Sequence, residues 1–420
     1  MSKKIKVLTI GDHPLSPSGV GTQSKYFIEA LLKSGKFEVI SIGGAIKHQD
    51  YRPIVVEPWD KEWRILPIDG YGNPEIIRSL LRNEKVDMMW IMTDPRFYEW
   101  LWQFDNEIRS LVPLVYYHVW DNYPYPMYNN KFYESNDHIA CISKLTYDVV
   151  KNVAPNVSSS YLPHAVDANV FVSHTEEQRK KLREQTLPPE LQDRFIVFWN
   201  NRNARRKQSG SLVWWWKEWL DERGLHDKAT LLMHIDPKDV HGQDLVHMVD
   251  HLDMNEGQVV FSTEKVPLEA MSTFYNVADV TINISDAEGF GLATLESLSC
   301  GTPIIATMTG GLQEQVVGED TYGIPLFPSS KAIIGSQQVP YIYEDRLSRD
   351  HVLSALSNMY DIGQTERRKM GAAGRQHVLK NYNFNDFNRN WVDLMLEIYE
   401  KHGSWNNRSE YSSIIFKEIA

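Results

Sequence analysis

The run Ser285-Asp286-Ala287-Glu288-Gly289-Phe290-Gly291-Leu292-Ala293-Thr294-Leu295-Glu296 decides how the rest of the chain is read. Before it stands an apolar, β-branched segment, Val280-Thr281-Ile282-Asn283-Ile284, and after it Ser297-Leu298-Ser299-Cys300-Gly301-Thr302-Pro303-Ile304-Ile305-Ala306. The pattern is a strand, a glycine-bearing loop, a helix stopped by Gly301-Thr302-Pro303, and a second strand. Such a loop aims backbone N–H groups and the positive end of a helix at one point, where an anion such as a phosphate is favoured. Two carboxylates, Glu288 and Glu296, flank it. Eight helical steps between them would span about 12 Å, roughly the reach from a sugar, past a diphosphate, to a ribose. Glutamates on solvated helix faces are the ordinary case. The glycines and the strand-loop-helix setting favour a donor that carries both phosphates and hydroxyls, with the amides of Gly289, Phe290, Gly291 and Leu292 toward the phosphates.

Working outward, Phe195 to Trp199 reads as a strand whose following loop is basic: Asn200-Asn201-Arg202-Asn203-Ala204-Arg205-Arg206-Lys207. Arg202 and Lys207 are placed to neutralise charge on a departing diphosphate, a task otherwise given to a metal. Arg205 and Arg206 read as solvated neighbours. The sequence has no Asp-x-Asp, no Cys/His cluster with metal spacing and no Walker lysine loop, so no metal ligand is assigned. The tryptophan-rich helix that follows, with Trp214, Trp215, Trp216 and Trp219, cannot bury three consecutive rings on one face. At least one of them is expected to be partly exposed or to sit at an interface, and Met88, Met89 and Met92 are expected in the core. A basic run beside tryptophans also suits stacking on nucleic acid, although the formal net charge of −11 gives that reading little support.

The first third repeats the α/β pattern. Ile5 to Gly11 is a buried strand, a loop from Pro14 to Thr22 that contains Gly19-x-Gly21 leads into a helix carrying Phe27, Ile28, Leu31 and Leu32, and Phe37 to Gly43 is a second strand. The latter ends in Ser41-Ile42-Gly43-Gly44, without the acidic residue that a nicotinamide ribose requires, which disfavours a dehydrogenase. Further strands are expected at Val86–Met92, Leu114–Trp120 and His138–Ser143. His118 falls at a strand end, where ligands of open α/β sheets gather. It is placed either for chemistry or to hydrogen-bond its own loop. The polar stretch from His174 to Asp193 marks a domain boundary, and the last third is mainly helical. The 420 residues, 42% of them hydrophobic, suffice for two such domains. Cys141 and Cys300 are the two cysteines, too few for a disulfide framework. The expected setting is cytoplasmic, with no transmembrane segment.

Taken in order, these motifs resemble the retaining GT-B glycosyltransferases of family 4 (glycosyl transferases group 1). The resemblance rests on Glu288-x7-Glu296, Gly301-Thr302-Pro303, Gly310-Gly311-x-x-Glu314, the glycine loop Ser18-Gly19-Val20-Gly21 and the five-residue offset from Arg202 to Lys207. Pro163-His164-Ala165-Val166-Asp167 matches with His-Ala in place of the usual Asn-Gly, and Asn201 replaces the usual glycine before the arginine. The resemblance implies an α/β fold of two Rossmann-like domains with parallel sheets facing across a cleft. An acceptor domain would cover residues 1–170 and a donor domain 171–384, with a C-terminal helix at about 385–420 packing back on the first. It further implies a donor substrate of UDP- or GDP-sugar type, no separate cofactor, and transfer with retention of configuration. By the same carry-over Arg202 and Lys207 hold the diphosphate, Glu296 the ribose and Glu288 the donor sugar. His118 lies near that sugar, and Gly19 and Gly21 lie against the phosphates or the acceptor. The acceptor stays open between a small molecule, a lipid-linked glycan and a hydroxylated DNA base. A nucleotide-sugar epimerase and a catalytically silent nucleotide-sugar-binding module are the remaining alternatives.

Overall fold

Strands that read as continuous apolar runs need both faces covered, and helices alternate with them along this chain; the outcome is parallel sheets. The computed structural model describes residues 3–318 and 320–412. By its internal contacts the chain divides into two units. Unit 1 comprises Met1–Ala165, Gly335–Tyr341 and Phe384–Ala420, and unit 2 comprises Val166–Ile334 and Ile342–Asn383. The sequence expectation had set the first of these divisions at residue 170. Residues 413–420, the end of the expected C-terminal helix, lie outside the described residues.

Among the described residues, unit 1 holds a sheet of β1 (Ile5–Asp12), β2 (Phe37–Gly44), β3 (Ile54–Val55), β4 (Trp63–Pro67), β5 (Met88–Thr93), β6 (Leu114–His118), β7 (His138–Cys141) and β8 (Ser159–Tyr161). Their order is β3-β4-β2-β1-β5-β6-β7-β8, parallel except where β3 runs against β4. Every residue of β5 is buried, including Met88, Met89 and Met92. The helix Phe384–His402 belongs to this unit, with the buried Trp391 ring 4.7 Å from Phe27 and 4.8 Å from Tyr117.

Unit 2 holds β9 (Phe195–Asn200), β10 (Ala229–His234), β11 (Val259–Ser262), β12 (Val280–Asn283), β13 (Ile304–Thr307) and β14 (Gly323–Leu326), all parallel, in the order β11-β10-β9-β12-β13-β14. An antiparallel hairpin, β15 (Ser330–Ile334) and β16 (Ile342–Arg346), follows. Its strands lie in unit 2, and its tip, Gly335–Tyr341, is counted with unit 1. The tryptophan helix Ser209–Arg223 turns Trp216 and Trp219 into the core, where their indole N–H groups donate to the Gln258 carbonyl and the Ser357 hydroxyl. Trp214, on the opposite side, is 43% exposed, as three consecutive rings require. No helix among the described residues is long and apolar enough to cross a membrane.

Candidate active site

The strand order of unit 2 selects a place before any side chain is considered. From β9 the chain passes outward to β10 and β11, then returns to lay β12 on the other side of β9. The crevice beyond the carboxyl ends of β9 and β12 is therefore the topological switch point, where open α/β sheets take ligands. The basic loop leaves β9 there, and the loop Ile284–Gly291 leaves β12 beside it.

Local chemistry fixes both loops. At the end of β12 the Asn283 side-chain oxygen accepts from the backbone N–H of Ser285 at 3.0 Å and from its hydroxyl at 2.6 Å. The Asp286 N–H donates to the Arg206 carbonyl at 2.8 Å and so ties one loop to the other. Gly291, at φ +91°, turns the chain into the helix Leu292–Ser299. Behind the loop, Gly310 must lack a side chain because a Cβ there would meet the Glu288 carbonyl oxygen at 1.8 Å. This close approach lets the Gly311 N–H donate to that same carbonyl at 3.1 Å.

Lys207 and Glu288 form an ion pair in which the side chains are 8% and 14% exposed. Arg206 approaches the same carboxylate at 4.0 Å and donates to the Ala287 carbonyl at 2.5 Å. Burial would raise the Glu288 pKa, but Lys207 and Arg206 outweigh it and hold the carboxyl below its ordinary value. Glu296 has the opposite environment. Burial pushes it up to about 7, with the Tyr275 hydroxyl opposing that rise through a 2.6 Å hydrogen bond. Tyr275 is fully buried and accepts in turn from the Asn200 amide at 2.9 Å. One glutamate is thus a fixed anion, and the other changes protonation near neutrality.

The two glutamates do not share one helix. Glu288 lies in the loop, and the helix begins only at Leu292, so half of the eight steps are helical and the 12 Å estimate does not apply. Gly289 and Phe290 complete the loop. The Phe290 ring packs 5.7 Å from Tyr382, and its carbonyl accepts from the Gln315 amide at 2.7 Å. Leu292 is the first helical residue.

Arg202 lies in the loop that leaves β9. Its side chain is 62% exposed and is paired with Asp239 at 2.6 Å. Arg205 is also paired, with the buried Glu344 of β16 at 2.5 and 2.7 Å. Arg346, on the same strand, bonds both Glu344 and Asp286, and the Gln208 amide donates to Asp286 at 2.7 Å. The hairpin therefore braces the glycine loop from outside. Sequence reasoning missed Arg206, Tyr275, Asn200 and this brace. Arg206 was visible only as one more charge in a basic run, and the partners of Tyr275 and Asp286 are too distant in sequence for spacing to reveal.

Unit 1 has its own switch point, between β1 and β5. Gly19 there begins the helix Gly19–Lys33, capped by the Ser18 hydroxyl, which accepts from the Gly21 N–H at 3.0 Å. His118 ends β6, one strand farther along, and is fully buried. Its Nδ1 meets the Tyr116 hydroxyl at 3.0 Å and its Nε2 the Tyr133 hydroxyl at 2.7 Å. Burial lowers its pKa to about 3, so it is neutral in the physiological range. Among the described residues no group of three or more His, Cys, Asp or Glu is arranged to hold a metal ion.

Residues 243–334, which include the glycine loop and its helix, match the family model Glycosyl transferases group 1. The matched segment lies within unit 2. Over 64 residues it is 41% identical to a D-inositol 3-phosphate glycosyltransferase of Acidothermus cellulolyticus, covering 15% of this chain and 14% of that protein. Over 89 residues it is 34% identical to one of Arthrobacter, covering 21% of each. The chain thus spans about one seventh of the length of the first of these relatives. Among solved structures, sucrose-phosphate synthase of Thermosynechococcus elongatus matches with a TM-score of 0.75 at 17% identity, over 94% of this chain and 100% of that one. Anabaena HepE in complex with UDP-glucose matches at 0.69 and 14% identity, again over 94% and 100%. The two sheets, of eight and six strands, are those of the GT-B fold.

Proposed function

We propose that the protein transfers a sugar from a nucleoside-diphosphate sugar to an acceptor hydroxyl with retention of configuration. The observation that carries this reading is the Lys207–Glu288 pair at the β9/β12 switch point, with Glu296 on the helix that follows. Lys207 takes the donor diphosphate, Glu288 accepts hydrogen bonds from the transferred sugar, and Glu296 accepts from the ribose. The bond from the sugar anomeric carbon to the β-phosphate oxygen breaks, and its electron pair stays on that oxygen. The acceptor oxygen bonds to the same face of the carbon, and its proton passes to the departing phosphate. A cation beside that oxygen stabilises the charge as it develops, so the scheme routes no step through a metal. His118, neutral and engaged at both ring nitrogens, is given no proton transfer and instead holds Tyr116 and Tyr133 in place.

The donor is of the UDP- or GDP-sugar type, and HepE, of like fold, has been solved with UDP-glucose. The acceptor is a small molecule or a lipid-linked glycan. Arg202 and Arg205 are each matched to a carboxylate, so the basic run is less cationic toward DNA than its sequence implies. A reducing, cytoplasmic setting suits the two free, buried cysteines. The test is a panel of nucleotide sugars read by thermal shift and by donor hydrolysis, with and without chelator. One nucleotide sugar is expected to stabilise the protein and to be slowly hydrolysed at a rate the chelator leaves unchanged. Stabilisation by none of them overturns the proposal. Interconversion of the donor sugar without any acceptor would make the protein an epimerase.

A further inference from the structure

Unit 2 has a further cavity, of about 1110 Å³, at the other edge of its sheet. Phe195, the first residue of β9, lines it, as do Lys228 and Asp279, which immediately precede β10 and β12. The cavity therefore lies at the amino ends of these strands, away from the crevice at their carboxyl ends. Five arginines surround it: Arg179, Arg183, Arg194, Arg367 and Arg368. Of the carboxylates that line it, Asp279 alone is buried. That one group serves two of the arginines, accepting from Arg183 at 2.7 Å and from Arg367 at 3.2 Å. Arg179 and Arg194, both buried, donate only to neutral groups: Arg179 to the Thr302 hydroxyl and the carbonyls of His174, Asn276 and Cys300, and Arg194 to the carbonyls of Glu190, His226 and Glu256. Burial, and after it the charge of Arg368, lower the Arg179 pKa to about 9.

The bonds divide these arginines into two kinds. Every side-chain nitrogen of Arg179, Arg183 and Arg194 is bonded within unit 2, so these three tie the helix Glu176–Thr186 and the start of β9 to the sheet. Arg367 and Arg368 are not used up. Arg367 Nε and Arg368 Nη1 are buried without a hydrogen-bond partner among the described residues. Both side chains come from the helix Gly363–Asn381, whose first residues, Gly363 and Gln364, also line the cavity. That helix starts after Ile362, which offers no side-chain cap, so its first N–H groups and its positive end stand open at the cavity wall. We propose that the cavity takes a phosphoryl group, free or carried on a metabolite, at a site separate from the donor crevice. The open helix end supplies N–H donors, and the planar forks of Arg367 and Arg368 match phosphate oxygens. A dianion would also offset a cluster in which five guanidinium groups share one buried carboxylate. A purely structural cluster accounts for Arg179, Arg183 and Arg194, but it leaves the free nitrogens of Arg367 and Arg368 and the bare helix end without a reason. The site stands independently of the proposed sugar transfer.

Thermal melts and calorimetry of the full chain, in sodium phosphate against sodium chloride at matched ionic strength, test the proposal. Phosphate is expected to raise the melting temperature above its value in chloride. Arg368→Gln should weaken phosphate about 10- to 100-fold, the loss typical of hydrogen bonds to charged groups. Gln364→Glu, which brings a carboxylate to the helix end, should weaken it likewise, and it decides the matter if Arg368→Gln does not fold. The double variant Lys207→Met, Glu288→Gln, which lacks the ion pair of the donor crevice, should still bind phosphate at this site. Ribose 5-phosphate separates the two sources: tighter binding than phosphate, lost in Arg368→Gln, marks a phosphorylated metabolite, and weaker binding marks free phosphate. No shift beyond that in chloride overturns the proposal. So does a shift that survives in both Arg368→Gln and Gln364→Glu, or one that only the double variant abolishes, since the anion would then sit in the donor crevice.

Discussion

Glu296→Gln should make the protein at once more stable and a poorer nucleotide binder, and the two effects follow from the same burial. The Glu296 carboxyl sits near pKa 7 in the fold against an ordinary 4.5. A raised carboxyl pKa means that the folded state keeps its proton to higher pH than the unfolded state does. Stability is therefore lost as pH rises from about 4.5 through about 7. At ~1.4 kcal/mol for each tenfold change, the ionised group costs the fold up to ~3 kcal/mol at pH 8 and less than ~1 kcal/mol at pH 5. Glutamine removes that cost and still offers an oxygen to the Tyr275 hydroxyl. For a unit of this size each kcal/mol moves the melting midpoint by ~2–4 °C, so the variant should melt as much as ~10 °C higher at pH 8 and only slightly higher at pH 5. Nucleotide binding should move the other way. A carboxylate holding two ribose hydroxyls makes charge-assisted bonds worth ~1.5–3 kcal/mol, and their loss is a drop of about 10- to 100-fold. Wild-type affinity should rise with pH through 7, while that of the variant stays flat. Thermal melts and calorimetry at pH 5, 6.5 and 8 read both. A variant that melts lower at pH 8, or that binds nucleotide as well as wild type, refutes the reasoning.

Lys207→Ala should abolish transfer and lower stability by ~3–5 kcal/mol, because it leaves Glu288 mostly buried without its closest cation; Lys207→Met combined with Glu288→Gln should regain much of the stability but none of the turnover, as urea midpoints and single-turnover assays will show. His118→Phe should lower the urea midpoint by the equivalent of ~2–4 kcal/mol, since it strips partners from the buried Tyr116 and Tyr133 hydroxyls. The pH profile of kcat should keep its shape in that variant, and a lost limb would instead make His118 a proton carrier. Arg346→Ala, which removes a cation from Asp286 and Glu344, should raise the donor KM several-fold with a smaller effect on kcat. An unchanged KM would show that the hairpin does not position the loop.

What the sequence made legible was whatever is local. The run Val280 to Pro303 announces strand, loop, helix and strand through residues adjacent in the chain, and the structure forms all four. At least one of Trp214, Trp215 and Trp216 was expected to be partly exposed on helical geometry alone, and Trp214 is. What the sequence hid was set by partners distant in the chain. Arg202 takes its partner, Asp239, from another loop, and the strand β16 that supplies Glu344 and Arg346 carries three ionic residues in five, without the apolar alternation that marks a strand. The short edge strand β8, Ser159–Tyr161, likewise lacks an apolar run, because it is only partly buried. His118 shows the same limit from the other side. Its place at a strand end was legible, but its two tyrosine partners were not, and they decide that it is sealed and neutral.

The contrast between Glu288 and Glu296 bears on how a donor could be admitted. Lys207 and Glu288 already hold each other, so a diphosphate must compete for Lys207. Complete separation of such a pair at low exposure would cost several kcal/mol. Separation is not required, however, if the phosphate approaches Lys207 while a sugar hydroxyl replaces part of its contact with Glu288. The net charge of the cluster then changes through the ligand rather than through a stranded ion. Glu296 needs a different adjustment, the loss of a proton near neutrality, and the Asn200–Tyr275 hydrogen-bond chain favours the ionised form. On the proposed reading, the pair assigned to the phosphates is thus preorganised as charged, and the carboxyl assigned to the ribose becomes charged as the ligand arrives. Nucleotide binding near pH 6.5 should accordingly release a fraction of a proton, and that release should vanish in Glu296→Gln but persist in Glu288→Gln.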